Sequence, residues 1–378
     1  MPIGIYIHVP FCLKKCNYCD FISYPYNEKD ARAYLDALGK EIELSGRRLP
    51  PEAKVVETVY VGGGTPTCLP AADLAAILRK CRRCFSFLPA AEISIEANPG
   101  TVDAEKLAIL REAGASRLSI GVQTCQERLL KILGRVHTFA QAKDAVRMAR
   151  EAGFANINVD LIFGLPEQTP AGWRECLEQV LDLRPEHVST YSLQLEEGTP
   201  LWRHVQAGRV DPVDEEAELI MFEQAIEILS AAGFVHYEIS NFALPGYQCR
   251  HNLRYWRNLS YLGLGPAAHS FYENRRFSNE VSLARYVARL EAGELPVAAQ
   301  EDLTRQTLMT ETVFLGLRLR EGLDLSAFTG RFGQTVQEVF PEQINRLLDF
   351  NLLEIRDNFL RLTGKGLPVA NQVFAEFV

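Results

Sequence analysis

Six times before residue 235 the chain runs a short apolar stretch into a turn and then into an amphipathic one, and this alternation constrains the fold more than any other feature. Ile5-Tyr6-Ile7-His8-Val9 is β-branched and aromatic and breaks at Pro10, which predicts a strand. Asn27 to Gly46 then places Ala31, Tyr34, Leu35, Leu38 and Ile42 on one helical face and stops at a glycine. The pattern repeats. Val55 to Val61 leads through Gly62-Gly63-Gly64 into a helix with Leu74, Ile77, Leu78 and Cys81 on one side, and Ile93 to Glu96 precedes a helix from Asp103 to Ala113. Arg117 to Val122 precedes a helix opened by the capping box Thr138-x-x-Gln141 and ended near Gly153. Asn156 to Phe163 and His187 to Leu193 are the fifth and sixth strands, and a long helix is expected from Val213 to Ala232. Such units make a parallel sheet with right-handed crossovers, so the expected fold is α/β, a partial (β/α)6 barrel over residues 1–235.

Beyond it the pattern weakens. Residues 236–300 read as a connecting segment rich in Gly, Asn and aromatics, and residues 301–378 as a smaller helical, winged-helix-like domain. Leu353 to Arg356 and Phe359 to Leu362 alternate about Asp357-Asn358, a tight hairpin turn. Pro341 to Val378 holds four basic and five acidic side chains, and the whole chain carries a net charge of −8, so no nucleic-acid partner is expected. No run approaches the ~18–20 apolar residues of a membrane span. The start shows no secretory signal, and nine cysteines without one predict a reducing compartment, the cytoplasm.

In parallel α/β sheets chemistry gathers at the carboxyl ends of the strands. Cys12, Cys16 and Cys19 lie just after the first strand, close enough in sequence to turn three sulfurs to one point, and thiolates ligate iron–sulfur clusters or zinc. Closed structural zinc wants a fourth ligand, and between Asp20 and Leu88 only the remote Cys68, Cys81 and Cys84 offer one. A cubane on three thiolates instead leaves one iron open. Gly62-Gly63-Gly64-Thr65 follows the second strand, where backbone N–H groups can approach a ligand, although a glycine triplet alone is also a plain turn. Glu96 ends the third strand and is costly to bury unless it pairs with a cation or accepts hydrogen bonds. Gln123, Arg135 and Asp160 are polar groups at or beyond later strand ends, and Arg135 with Asp160 is also readable as a simple ion pair in the barrel mouth.

The C-x-x-x-C-x-x-C order of Cys12, Cys16 and Cys19 resembles the signature of the radical S-adenosylmethionine (SAM) superfamily. There a [4Fe–4S] cluster binds SAM at its open iron. The run Ile5 to Cys12, Gly62 to Thr67, Ile95-Glu96, Gly121-Val122-Gln123 and Asp160 to Pro166 is similar in order and spacing to the oxygen-independent coproporphyrinogen oxidase family, over nearly the whole chain. The resemblance implies that Tyr6, Gly63 and Glu96 contact the SAM on the cluster, and that Tyr18, Gly64, Thr65, Gln123, Arg135 and Asp160 contact a second SAM. Two features depart from the oxidase proper. Phe21 stands where it has a cysteine two residues after the third ligand, and the oxidase's N-terminal extension is not seen here.

Cys249-Arg250-His251-Asn252-Leu253-Arg254-Tyr255-Trp256 contains an H-N-x-x-Y-W pattern which, with Phe21, resembles the heme-chaperone branch of that family. The resemblance implies heme as a third cofactor and heme-accepting proteins, respiratory ones among the candidates, as partners. His251 is then an expected iron ligand, Tyr255 and Trp256 the porphyrin's walls, and Arg250 or Arg254 the propionate partners. Cys249, His8 and His269 are further ligand candidates. The alternative, equally open on sequence, is that His251 only hydrogen-bonds in an aromatic cluster supporting the barrel. A radical SAM oxidase or methyl-transferring enzyme is the rival activity, a purely structural metal module is a third reading, and a homodimer is open.

Overall fold

The computed structural model describes residues 2–378. Six parallel strands stand side by side in chain order: β1 (Ile3–Val9), β2 (Val55–Gly63), β3 (Ser86–Ala97), β4 (Arg117–Gln123), β5 (Ile157–Phe163) and β6 (His187–Ser192). β4 is buried at every position, as a strand covered on both faces must be. The crossover helices Glu28–Arg48, Ala71–Cys84, Ala104–Glu112, Phe139–Glu151 and Pro170–Leu181 shield the outer face through one continuous core. Their starts follow local chemistry: Asn27, Asp103 and Thr169 accept from backbone N–H groups at their helix N-termini, and Thr138 with Gln141 forms the expected capping box. The first helix runs past Gly46 to Arg48, because the chain is turned by Leu49 and Pro50 instead.

Residues 236–300 are no mere connector, which corrects the sequence expectation. They extend the same sheet at both edges. β7 (Val235–Glu238) and β8 (Asn241–Ala243) add antiparallel beside β6. On the other side β9 (Tyr261–Leu264) lies parallel to β1, and β10 (His269–Tyr272), β11 (Arg275–Asn279) and β12 (Val297–Asp302) continue as an antiparallel meander. The sheet has twelve strands and stays open, with β12 and β7 as its edges.

Between β8 and β9 the helix Arg250–Trp256 packs against β2. Its first N–H groups need acceptors, and the carboxylate of Glu92 takes those of Arg250 and His251 at 3.2 Å each. Arg254, almost fully buried, reaches the carbonyls of Pro2 and Ser260 and pairs with Glu57. The C-terminal part has its own core. Helices Arg305–Gly316, Leu325–Phe332 and Pro341–Asp349 pack on a three-stranded sheet of β13 (Leu323–Asp324), β14 (Leu353–Arg356) and β15 (Phe359–Leu362). Asp357 and Asn358 both have positive φ, as the tight hairpin turn requires.

Candidate functional site

The carboxyl ends of β1 to β5 converge on the three-cysteine loop. Register alone brings His8 beside Gly62 and Val9 beside Gly63, and aligns Glu96 with Ser119 and Gly121 with Asp160. The loop is tied down by the backbone. Thr65 N–H donates to the Phe11 carbonyl, Gly64 N–H to that of Val9, and Cys19 N–H to that of Cys16. Gly64 has to be glycine, since a Cβ there would stand 2.5 Å from the Phe11 carbonyl oxygen. Gly63 has φ +110° and its Cβ would meet the His8 ring.

All three cysteines are free and partly exposed. Thr65 Oγ1 lies 3.6 Å from Cys12 Sγ, and Arg135 Nη1 lies 3.4 Å from Cys16 Sγ. Burial pushes the Cys19 thiol up to about 11. Among the described residues no three His, Cys, Asp or Glu side chains close on a single metal ion. The donor set suits a cubane, whose thiolates sit around four irons and not around one, and a guanidinium beside a sulfur favours the charged cluster.

Arg135 does not pair with Asp160. Its guanidinium goes to Asn98 Oδ1 at 2.6 Å, the Gly121 carbonyl at 2.7 Å and Cys16. Asp160 accepts instead from Ser119 Oγ and Asn158 Nδ2. Asn98, which sequence reasoning passed over, donates to Thr65 Oγ1 at 2.8 Å while accepting from Arg135, so it wires the glycine loop to the arginine. Its signal in the sequence is a polar residue closing the third strand before Pro99-Gly100. Gln123 is buried and holds φ +70° where β4 bulges, a strained conformation at a strand end. Tyr18 packs into a small apolar cluster with Leu133 and Ile162.

Glu96 accepts from Tyr60 Oη at 2.8 Å and from Gly63 N–H at 3.2 Å. Burial above all, with Asp160 adding to it, raises its carboxyl to about 7, against the pull of those two donors. Tyr6, stacked on Tyr60, donates to His8 Nδ1 at 3.0 Å, while His8 Nε2–H donates to the Ile22 carbonyl. Burial lowers the His8 pKa, consistent with this neutral tautomer.

Next to the three-cysteine loop opens a cavity of about 830 Å³. Asp20, Phe21 and Ile22 form one wall, the end of the Arg250–Trp256 helix another, β9 to β11 a third, and Glu311, Phe314 and Leu315 of the C-terminal part close it. Tyr255 and Trp256 line it; His251 does not. His251 is fully enclosed, its Nδ1 2.8 Å from Thr58 Oγ1 and its Nε2 2.8 Å from Tyr255 Oη, with its ring stacked on Tyr60. Burial drives its pKa down to about 3. With both nitrogens engaged it offers no lone pair to an iron, so the supporting role is the one the geometry favours. Arg250 and Arg254 are held by Glu57, away from the cavity, and Cys249 is buried beside Glu92.

Residues 6–180 match the radical SAM superfamily, and residues 303–369 match the HemN C-terminal domain. The heme chaperone HemW of Bacillus subtilis is 36% identical over 99% of this chain and 98% of its own length. The chain belongs to the HemW heme chaperone family. HemW of Mycobacterium tuberculosis is 39% identical over 98% of this chain and 94% of its own. Among solved structures, coproporphyrinogen III oxidase (HemN) from Escherichia coli, a radical SAM enzyme, superposes with a TM-score of 0.87 at 26% identity, covering 100% of this chain and 90% of that one. Radical SAM membership implies a [4Fe–4S] cluster and SAM, and an open, partial α/β barrel with a HemN-type C-terminal domain is the architecture seen here. No helix among the described residues is long and apolar enough to cross a membrane.

Proposed function

We propose that this chain binds heme and hands it to acceptor proteins, carrying a [4Fe–4S] cluster on Cys12, Cys16 and Cys19 with SAM on the open iron. The observation that carries this reading is the shared wall: the residues directly after Cys19 are also the lining of a cavity whose size falls in the ~300–1,000 Å³ range of ligand sites. Tyr6, Phe21, Tyr255, Trp256 and Phe271 give it flat apolar surface for a porphyrin. Bound SAM supplies adenosyl-radical chemistry in this superfamily. This chain's own residues hold and orient it: Gly63 and Glu96 toward its amino group, Tyr6 beside it, and Tyr18, Gly64, Thr65, Gln123, Arg135 and Asp160 around a second molecule. The protein works in the cytoplasm, with respiratory enzymes among the acceptors and a second copy of the chain as a further partner.

Anaerobic reconstitution followed by heme titration of the unaltered chain and Cys12→Ser tests both cofactors together. The cluster-free variant should bind heme more weakly and pass less to an apo-acceptor; equal binding and transfer would refute the coupling. The likeness to HemN favours one second reading, oxidation of a porphyrinogen. Vinyl product from coproporphyrinogen, SAM and the reduced protein would establish it, whereas Phe21 in place of the oxidase's cysteine speaks against it.

A further inference from the structure

His269 is the imidazole that the cavity leaves free. It sits at the start of β10, where side chains alternate: Ser270 turns inward to bond the Gly263 N–H at 2.8 Å, while His269 and Phe271 face the cavity. His269 is exposed, and its ring has no hydrogen-bonding partner among the described residues, unlike His8 and His251, whose nitrogens are all engaged. Cross-strand pairing adds a cation. Arg276 lies directly opposite Phe271 and also lines the cavity, on the diagonal from His269. Diagonal positions stand roughly 7–8 Å apart. Arg276 is held by Glu311 at 2.7 Å through one nitrogen, which leaves its other N–H groups for an incoming carboxylate. Imidazole, guanidinium and aromatic walls in this order match iron, propionate and macrocycle.

We propose that His269 is the axial iron ligand of heme in this cavity and that Arg276 receives a propionate; the assignment rests on the heme-binding reading above. A ring nitrogen of His269 donates its lone pair to ferric iron and displaces a water or chloride from it. No electron is transferred, and the iron stays ferric. Asp20 and Phe21 face the same space from the cluster loop, so the heme lies against the segment that follows the cluster ligands.

The test is titration of ferric hemin into the full chain, followed by Soret absorption and EPR, for the unaltered protein, His269→Ala and His269→Cys. His269→Ala should lose the imidazole-ligated spectrum and at least about tenfold in hemin affinity. Added imidazole should restore the spectrum, and His269→Cys should give a thiolate-type signal, which a merely structural role for the residue would not produce. Metal-free protoporphyrin should bind His269→Ala as it binds the unaltered chain. An unchanged spectrum in both variants would overturn the ligand assignment while leaving heme binding intact. Failure of the unaltered chain to bind hemin would overturn the heme reading itself, and this assignment with it.

Discussion

Tyr60→Phe tests how Glu96 is tuned. The phenol is Glu96's closest donor, and deleting its oxygen leaves the ring stacked between Tyr6 and His251. A hydrogen bond to a charged group is worth roughly 1.5–3 kcal/mol. At about 1.36 kcal/mol per unit, its loss raises the Glu96 carboxyl from about 7 by roughly 1–2 units. On the proposed reading the carboxylate is the form of Glu96 that accepts strongly from the amino N–H of SAM, so affinity in the unaltered chain should climb as pH rises through 7 and level off above it. At pH 7.5 the ionised fraction should drop from roughly three quarters to about a tenth in Tyr60→Phe, for a carboxyl moved by about 1.5 units. SAM binding at that pH should weaken about eightfold and recover near pH 10. The assay is equilibrium dialysis of SAM with anaerobically reconstituted protein between pH 6 and 10. An inflection at the same pH in both proteins would refute the reasoning, and a uniform loss at every pH would mean that the phenol shapes the site and does not tune the acid.

Glu41, fully buried, accepts from Gly265 N–H, Asn279 Nδ2 and Tyr286 Oη, and burial raises it to about 7. A carboxyl raised in the folded state adds stability that is complete below about pH 4.5 and lost as pH climbs through 7, here about 3 kcal/mol. Urea denaturation at pH 5 and pH 8 should show that slope in the unaltered chain and lose it in Glu41→Gln; an identical pH difference in both proteins would contradict it. His251→Ala removes a fully buried ring and the partner of both Thr58 and Tyr255, so it should cost about 3–4 kcal/mol in chemical denaturation while heme bound to the chain keeps the iron spectrum of the unaltered protein. Gly64→Ala forces a methyl against the Phe11 carbonyl; it should cost roughly 1–3 kcal/mol and abolish tight SAM binding, and calorimetric titration showing unchanged affinity would argue that the loop does not cradle SAM.

The parallel half of the sheet was legible because its strands are apolar runs bounded by capped amphipathic helices, as at Arg117 to Gln123 and Thr138 to Glu151. The additional strands were not, for a physical reason. Val297 to Asp302 is exposed along nearly its whole length, so no hydrophobic period marks it, and only backbone pairing to Arg275–Asn279 makes it a strand. At the site, the cysteine spacing and the glycine triplet pointed to one locus since chain direction fixes where strands end. The role of His251 did not follow from its motif. Its partners Thr58 and Tyr60 lie almost two hundred residues away, and nothing in H-N-x-x-Y-W says that a barrel strand covers the ring. For His269 a faint signal existed: His269 and Phe271 alternate with Ser270, so one face of a short strand carries an imidazole and an aromatic ring together.

The geometry gives the three-cysteine loop two neighbours at once. On one side Thr65 and Arg135 reach the sulfurs of Cys12 and Cys16; on the other the next three residues face the cavity. The link between these sides is a defined hydrogen-bond chain and not proximity alone. Tyr6 Oη donates to His8, and His8 donates to the Ile22 carbonyl, so the first barrel strand grips the loop just beyond the third cysteine. Tyr6 lines the cavity and also stacks on Tyr60, whose hydroxyl holds Glu96. A ligand that moves the Tyr6 ring therefore acts on the loop through His8 and on the Glu96 acid through Tyr60. By reciprocity, anything that orders the loop must change affinity in the cavity by the same factor. The strength of that coupling is bounded by two neutral hydrogen bonds of about 1 kcal/mol each, enough for a change of roughly tenfold to thirtyfold and no more.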